Sequence, residues 1–296
     1  MSAPTSLPRI AIIGFGEVGP IFAQALHERG CEVAAYDLKL QDPASADVIR
    51  AKAARSGARV AGSLSDCLNQ ADWIFSAVTA SQAGAVARDA AAFMQAGQIF
   101  IDLNSVSPRV KQENCARIQQ AGGEYIESAV MAPVPPQGVQ VPMLLGGRRA
   151  REMAESLNAL GMRTQAVADD VGLASAIKLC RSIMIKGHEA LCLQSMQAAL
   201  HFGVDERVLA SLAATFPGVG WDKGYEAYLI GRVAEHGQRR SEEMREAAAM
   251  LDELGLDSGL ASAIADVQQD FAQRGRGWLT DLDARGGLPG WRDLLA

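Results

Sequence analysis

A chain of 296 residues exceeds the length at which one hydrophobic core keeps growing, so two domains are expected. Its 49% hydrophobic and 21% charged content excludes a disordered or fibrous protein. The net charge of −6 argues against a general nucleic-acid surface, and no uninterrupted apolar run approaches the ~18 residues of a membrane span. Neither nucleic acid nor membrane is therefore expected as a partner. Cys31, Cys67, Cys115, Cys180 and Cys192 are scattered and lack CxxC spacing. That pattern fits reduced thiols better than a disulfide framework or a zinc site, and no metal is expected. The opening MSAPTSLPRI lacks the basic-then-apolar order of a secretory leader, so the expected location is the cytoplasm.

Residues before Arg9 read as a short disordered lead. Residues 9–13 (RIAII) form an apolar strand that stops at Gly14, and Gly14-Phe15-Gly16-Glu17-Val18-Gly19 follows. A helix over 20–29, with Gly30 as its C-cap, leads to a second strand over 31–36 (CEVAAY) ending at Asp37. Strand, Gly-x-Gly-x-x-Gly, helix, strand, acid is the order of a dinucleotide-binding βαβ unit. The glycine pattern alone is weak, and a tight turn without a ligand is its bland reading; the context makes it specific. Gly14 permits the turn, Gly16 lets the backbone approach a pyrophosphate, and Gly19 lets helix and strand pack closely. The helix N-terminus offers N–H groups to the phosphates. Asp37 suits ribose hydroxyls and repels a 2′-phosphate, so NAD is expected over NADP, with Lys39 able to soften the preference.

The alternation continues. Strands are predicted over 58–60, 73–78 (WIFSAV), 99–103 (IFIDL), 125–130, 142–145 and 164–167, with helices over 83–95, 109–120 and 149–159. Such alternation implies a mainly parallel sheet covered on both faces, an α/β domain of Rossmann type. Val78 and Thr79 end one strand, and Asn104, Ser105, Val106 and Ser107 follow the next. Open α/β sheets bind ligands at such carboxyl ends, although a helix cap accounts for Thr79 and Ser81 almost as well. Beyond residue 169 the strand patterns cease, and helices are predicted over 172–200, 205–214, 224–235, 241–254 and 258–273. The expected organisation is an NAD(P)-binding domain over 1–168 and an all-helical domain for substrate and dimerisation over 169–296. An irregular tail over 274–296 closes it.

The helix over 172–200 poses a problem. Leu173, Ala176, Ile177, Leu179, Cys180, Ile183, Met184 and Ile185 surround its axis, and a helix apolar on most sides is expected to be buried. Yet Lys178, Arg181, Lys186, His188 and Glu189 lie within it. The bland reading of Lys178 is a lysine snorkelling to the surface. The functional reading is an acid/base group: hydride transfer from an alcohol requires the hydroxyl proton to leave, and an ammonium in a partly dry cleft suits that task. Arg181 lies on nearly the same face, placed to hold a carboxylate or a partner chain. Lys186 and His188 read as structural or rim residues. His201, His236 and Trp221-Asp222-Lys223 fit either a cleft lining or a solvated face.

On these motifs the chain resembles the β-hydroxyacid dehydrogenase superfamily, which includes 3-hydroxyisobutyrate and 6-phosphogluconate dehydrogenases. More closely, it resembles a branch of NAD(P)-dependent oxidoreductases of unassigned substrate with a phosphogluconate-dehydrogenase-like C-terminal domain. The resemblance covers nearly the whole chain. It rests on GFGEVG with YDL, on DLNSVSP in place of the family's Asp-x-Ser-Thr-x-x-Pro substrate loop, and on GLASAIKLCRS in place of its Gly-x-x-Gly-x-x-x-Lys-x-x-x-Asn helix. It implies that Lys178 is the catalytic lysine and that Ser105 and Val106 belong to the substrate loop.

Three departures bear on the substrate. The family's asparagine four residues after the lysine is Ser182 here. Its carboxylate-binding Ser-Gly-Gly turn is Met131-Ala132-Pro133, which implies an acid group held elsewhere or a bulkier, less polar substrate. The family's lysine in the C-terminal domain falls near Glu242, beside Arg239 and Arg240. The implied activity is hydride transfer between a 3-hydroxy acid or related alcohol and NAD, with NADP possible, in a homodimer. Lys178 would be the acid/base, with Met131, Arg181 and Ser182 at the substrate. Oxidative decarboxylation of a hydroxy acid, imine reduction and a non-catalytic NAD-sensing role stay open as rivals.

Overall fold

The computed structural model describes residues 7–274 and 290–295. Residues 1–6 of the expected lead and 275–289 of the expected tail lie outside the described residues. The chain divides into two compact units, Met1–Lys178 and Leu179–Ala296. The division falls inside the long helix rather than ahead of it.

The first unit is an eight-stranded sheet in the order β3-β2-β1-β4-β5-β6-β7-β8. The strands are β1 (Ile10–Ile13), β2 (Val33–Tyr36), β3 (Arg59–Val60), β4 (Trp73–Ser76), β5 (Ile99–Asp102), β6 (Glu124–Val130), β7 (Pro142–Gly146) and β8 (Arg163–Ala168). Interleaved helices are α1 (Val18–Glu28), α2 (Pro43–Arg55), α3 (Leu64–Leu68), α4 (Ala80–Ala91), α5 (Pro108–Gln120) and α6 (Ala150–Ala159). The apolar strands are buried on both faces. Ile10, Ile12, Phe75, Ile99 and Ile101 join one core, while Ala11, Ile13, Ile74 and Phe100 join the other, as a period of two dictates.

Neighbouring strands run parallel except β6 and β7, which are antiparallel. An antiparallel pair needs no crossover helix, so the proline-rich loop over 131–141 suffices there. Strand order reverses at β1, which pairs with both β2 and β4. In an open α/β sheet this reversal opens a crevice beyond the carboxyl ends.

Two helices have no counterpart in the sequence expectations. Asp42 caps α2, which has Pro43 in its first turn, and Ser63 caps α3 by accepting from Asp66 N. Both are standard start chemistry.

In the second unit the remainder of α7 (Leu173–His201) is joined by α8 (Asp205–Thr215), α9 (Tyr225–Glu253), α10 (Gly259–Arg274) and α11 (Trp291–Leu295). The helices expected over 224–235 and 241–254 are one continuous helix, α9. Gly237 does not break it: a Cβ there would collide with the Gln268 carbonyl oxygen of α10, so this glycine permits close helix packing. Residues 291–295 of the expected irregular tail are helical, with Trp291 and Leu294 in the core formed by Leu193, Met196, Leu229 and Ile230. Burial of α7 on all sides is also corrected. Met184 and Leu191 are 75% and 66% exposed, and Leu173 and Ile177 are exposed too.

Candidate active site

The glycine loop is built by close packing. Gly14 has a φ of +93°, and a Cβ there would collide with the Ala77 carbonyl oxygen, so only glycine fits. A Cβ on Gly19 would strike the Gly14 carbonyl. Gly16 has open space around it, as a backbone approached by a ligand requires. Gly16 and Glu17 are exposed and Val18 is partly buried, whereas the Phe15 side chain is fully buried. Asp37 closes the loop, with one carboxylate oxygen accepting from Phe15 N at 2.7 Å and the other from Lys39 N at 2.9 Å. Lys52 Nζ of α2 donates to the Gly16 carbonyl at 2.6 Å. This lysine was missed because it lies 36 positions away, outside the motif.

At the end of β4, Thr79 is the N-cap residue of α4 without a side-chain capping bond. Its hydroxyl instead pairs with Ser81 Oγ at 3.2 Å. The Asn104 side chain ties β5 to β4, accepting from Val78 N at 2.7 Å and donating to Ser76 Oγ at 2.9 Å. Ser105 Oγ is buried without a hydrogen-bond partner, Val106 is buried, and Ser107 caps α5.

Beneath this loop lies a fully buried ion pair that sequence reasoning did not anticipate. Lys111 Nζ meets Asp102 Oδ1 at 2.9 Å, with side chains 0% and 1% exposed, and also donates to the Asp102 carbonyl. The same carboxylate accepts from Asn104 N at 2.9 Å and from Tyr125 Oη at 2.6 Å. Burial, reinforced by Asp102, pushes the Tyr125 phenol well above its usual value. The pair thus fixes the backbone of Asn104 from below.

The head of α7 reaches the same region of the first unit. Gln112 of α5 donates to the Val171 carbonyl at 3.1 Å. A Cβ on Gly172 would lie 3.2 Å from the Pro108 side chain, so the start of α7 lies beside the end of the Asn104–Ser107 loop. Buried Glu127 of β6 receives the first turn of α7, through Gly172 N at 2.7 Å, Ala174 N at 3.0 Å, Ser175 N at 3.3 Å and Ser175 Oγ at 2.8 Å. Lys178, partly buried, sits five residues beyond the helix start. Met131, also partly buried, follows β6 and donates its N–H to the Pro142 carbonyl.

Past Lys178 the helix enters the second unit. Arg181 is exposed. Ser182 is buried, donating to Glu243 Oε1 at 3.0 Å and accepting from Lys186 Nζ at 3.1 Å. Lys186 pairs with Glu243 at 3.0 Å, and burial, opposed by that carboxylate, draws its ammonium below the usual lysine value. One turn on, both carboxylate oxygens of Glu189 accept from Arg240 Nη1, at 2.6 and 2.7 Å; burial raises its carboxyl above the ordinary range, with Arg240 opposing. Lys186 is therefore a buried network member rather than a rim residue. His188 packs against Trp221 and Tyr225. Among the described residues no cluster could hold a metal ion, and no helix is long and apolar enough to cross a membrane.

Comparison with known proteins agrees with this architecture. Residues 9–160 match the family model described as the NAD binding domain of 6-phosphogluconate dehydrogenase, and residues 199–271 match a domain of unknown function, DUF1932. A conserved hypothetical protein from Sinorhizobium meliloti is 39% identical, covering 98% of this chain and 96% of its own at a TM-score of 0.80. The mitochondrial 3-hydroxyisobutyrate dehydrogenase of Drosophila melanogaster is 24% identical over 89% of this chain and 81% of its own. The V8 variant of an imine reductase from Myxococcus stipitatus, in complex with NAD+, shares the fold at 21% identity and a TM-score of 0.61, covering 92% of this chain and 96% of its own. With a glycine loop at the strand-order reversal, an acid closing it, and a family match over half its length, the chain belongs to the β-hydroxyacid dehydrogenase superfamily.

Proposed function

We propose that this protein is an NAD-linked dehydrogenase of a 3-hydroxy acid or related alcohol, with Lys178 as its general acid/base. One juxtaposition carries the reading: the glycine loop, the Asn104–Ser107 loop and the head of α7 all belong to the first unit, at the carboxyl end of the sheet. Gly14–Gly19 and Asp37 would hold the dinucleotide, with Val78, Thr79 and Asn104 bordering it. The open space at Gly16 and the exposed edge of the loop fit such a ligand. When bound, the nicotinamide supplies or accepts the hydride. Lys178, as the free amine, takes the hydroxyl proton when an alcohol is oxidised and returns it in reduction. Ser105, Val106 and Met131 would border the substrate; Arg181 and Ser182, three and four positions beyond Lys178 on α7, are the remaining candidates, with the Ser182 hydroxyl already bonded to Glu243 and Lys186. The buried, unpartnered Ser105 hydroxyl is a donor awaiting an acceptor.

The test is a panel of 3-hydroxy acids graded by size and charge, followed through nicotinamide absorbance with NAD. Turnover of at least one acid is expected. NAD binding with no turnover across the panel would instead support the sensing role; carbon dioxide among the products would identify decarboxylation, and oxidation of NADH by an added cyclic imine, with the amine formed, would identify imine chemistry.

Cofactor choice follows from Asp37. Hydrogen bonds to a charged group contribute about 1.5–3 kcal/mol, so NAD is expected to exceed NADP in kcat/KM by roughly tenfold or more. Asp37→Ala is expected to narrow the gap. Equal efficiency of the wild type with both cofactors would refute the assignment.

The quaternary proposal is a homodimer. Leu173, Ile177, Met184 and Leu191 are exposed along α7 at spacings that place them on one side of a helix, and a second copy of this chain would cover them. Sedimentation is expected to show a dimer. Met184→Glu should weaken it at least about tenfold, because it would bury an unpaired charge. A wild-type monomer at all concentrations would overturn the proposal.

A further inference from the structure

We infer that Glu127 is the positioning residue for Lys178, acting through the first turn of α7. The inference rests on the reading of Lys178 as the acid/base. Four donors of that turn converge on one carboxylate: Gly172 N and Ala174 N on Oε1, Ser175 N and Ser175 Oγ on Oε2. The first N–H groups of a helix have no partner within the helix and carry its positive end. A carboxylate satisfying several of them at once makes charge-assisted bonds and locks the axis in place. Glu127 is itself 0% exposed, so water does not compete for these bonds.

The arrangement is built rather than incidental. Glu127 pairs in register with Gly146 on the antiparallel strand β7, and a Cβ at Gly146 would collide with Glu127 Oε1. Room for the carboxylate thus depends on a glycine at the facing position. The anchor lies in the middle of a strand whose carboxyl end leads directly into Met131. One side chain therefore ties the strand leading to the 131–133 turn to the helix carrying Lys178.

The helix geometry explains why this matters for a lysine five residues on. Between Leu173 and Lys178 the backbone rises roughly 7.5 Å, little more than one turn, so tilt or fraying at the head moves the Cα of Lys178 directly. A displacement of about 1 Å in a reacting group can cost ~10²-fold in rate. Loss of the carboxylate also removes a negative charge near the helix head, which favours the free amine of Lys178 over the ammonium.

The experiment is a double-mutant cycle on the full-length protein, with 3-hydroxyisobutyrate and NAD as probes. Glu127→Gln, Lys178→Met and the double variant are compared by kcat, KM and NADH affinity. Expected results are a fall in kcat of about tenfold for Glu127→Gln, NADH affinity within about twofold of wild type, and no further loss when Glu127→Gln is added to Lys178→Met. An equal loss in both backgrounds, or no loss in either, overturns the positioning role. A fully active Lys178→Met overturns the acid/base reading and the inference with it.

A second measurement needs no substrate. Acetic anhydride labels lysines in proportion to accessible free amine, and peptide masses report each site, with Lys52 as the internal reference. Glu127→Gln is expected to raise labelling of Lys178 at least about threefold relative to Lys52; an unchanged ratio overturns the inference. Should Glu127→Gln fail to fold, Ser175→Ala removes a single donor, with a smaller rise in the same ratio expected and an unchanged ratio again counting against the role.

Discussion

Lys178→Ala is expected to lower turnover by roughly 10²–10⁴-fold, the usual contribution of a positioned acid/base group, while leaving the affinity for NAD nearly unchanged. The separation of the two effects follows from where the residues lie. Gly14, Gly16 and Gly19 form the first βα turn, tied to the end of β2 by Gly14 N on the Tyr36 carbonyl and Phe15 N on the Asp37 carboxylate, whereas Lys178 belongs to α7. Removing the amine leaves that turn untouched. The measurement is kcat on the best acid of the panel together with NADH binding. Turnover within about threefold of wild type would remove Lys178 from the chemistry and return it to the snorkelling surface role.

The second large effect concerns stability. Lys111→Met is expected to destabilise the protein by about 3–5 kcal/mol, because removing one partner of a buried pair strands the other charge. The low end of that range is the better expectation, since Tyr125, Asn104 and Asn114 still donate to Asp102. At about 2–4 °C per kcal/mol, the melting temperature should fall by roughly 6–12 °C. Adding Asp102→Leu should recover part of the loss, as removal of both charges leaves none unpaired in the core. A single variant costing less than about 1 kcal/mol would contradict the observed burial. The strut is also relevant to the site, because the Asp102 carboxylate holds the backbone of Asn104 and the Asn104 side chain in turn holds Val78 N.

The charges inside α7 show how much of this was legible beforehand. Two of the charged residues in this apolar helix, Lys186 and Glu189, share a single line with Ser182 at spacings of four and three. Their partners, Glu243, Arg240 and Gln268, come from α9 and α10. Periodicity reveals which positions share a face. It does not reveal what another helix presents to that face. Ser182 illustrates the consequence, since its hydroxyl is engaged by Glu243 and Lys186.

Element boundaries divide along the same physical line. The parallel strands were readable because each is a short apolar run bounded by turn residues, and β1, β2, β4 and β5 fall within the expected segments. Asp42-Pro43 and Ser63-x-x-Asp66 announced α2 and α3 through capping chemistry alone, and were missed because those helices carry little apolar periodicity. The helices expected over 224–235 and 241–254 are one, joined through Gly237, where the neighbouring α10 needs the space.

By itself, then, the sequence determined the order strand, glycine loop, helix, strand, acid, and with it the class of cofactor. That order depends on turn chemistry and burial periods that act over a few residues. Only the tertiary structure decided that Asp102 would be neutralised by Lys111, that Glu127 would cap the helix bearing Lys178, and that Lys186 would be buried against Glu243. A buried charge must find its counter-charge or donors wherever the fold brings them, and those partners lie on other elements, beyond the reach of any local pattern.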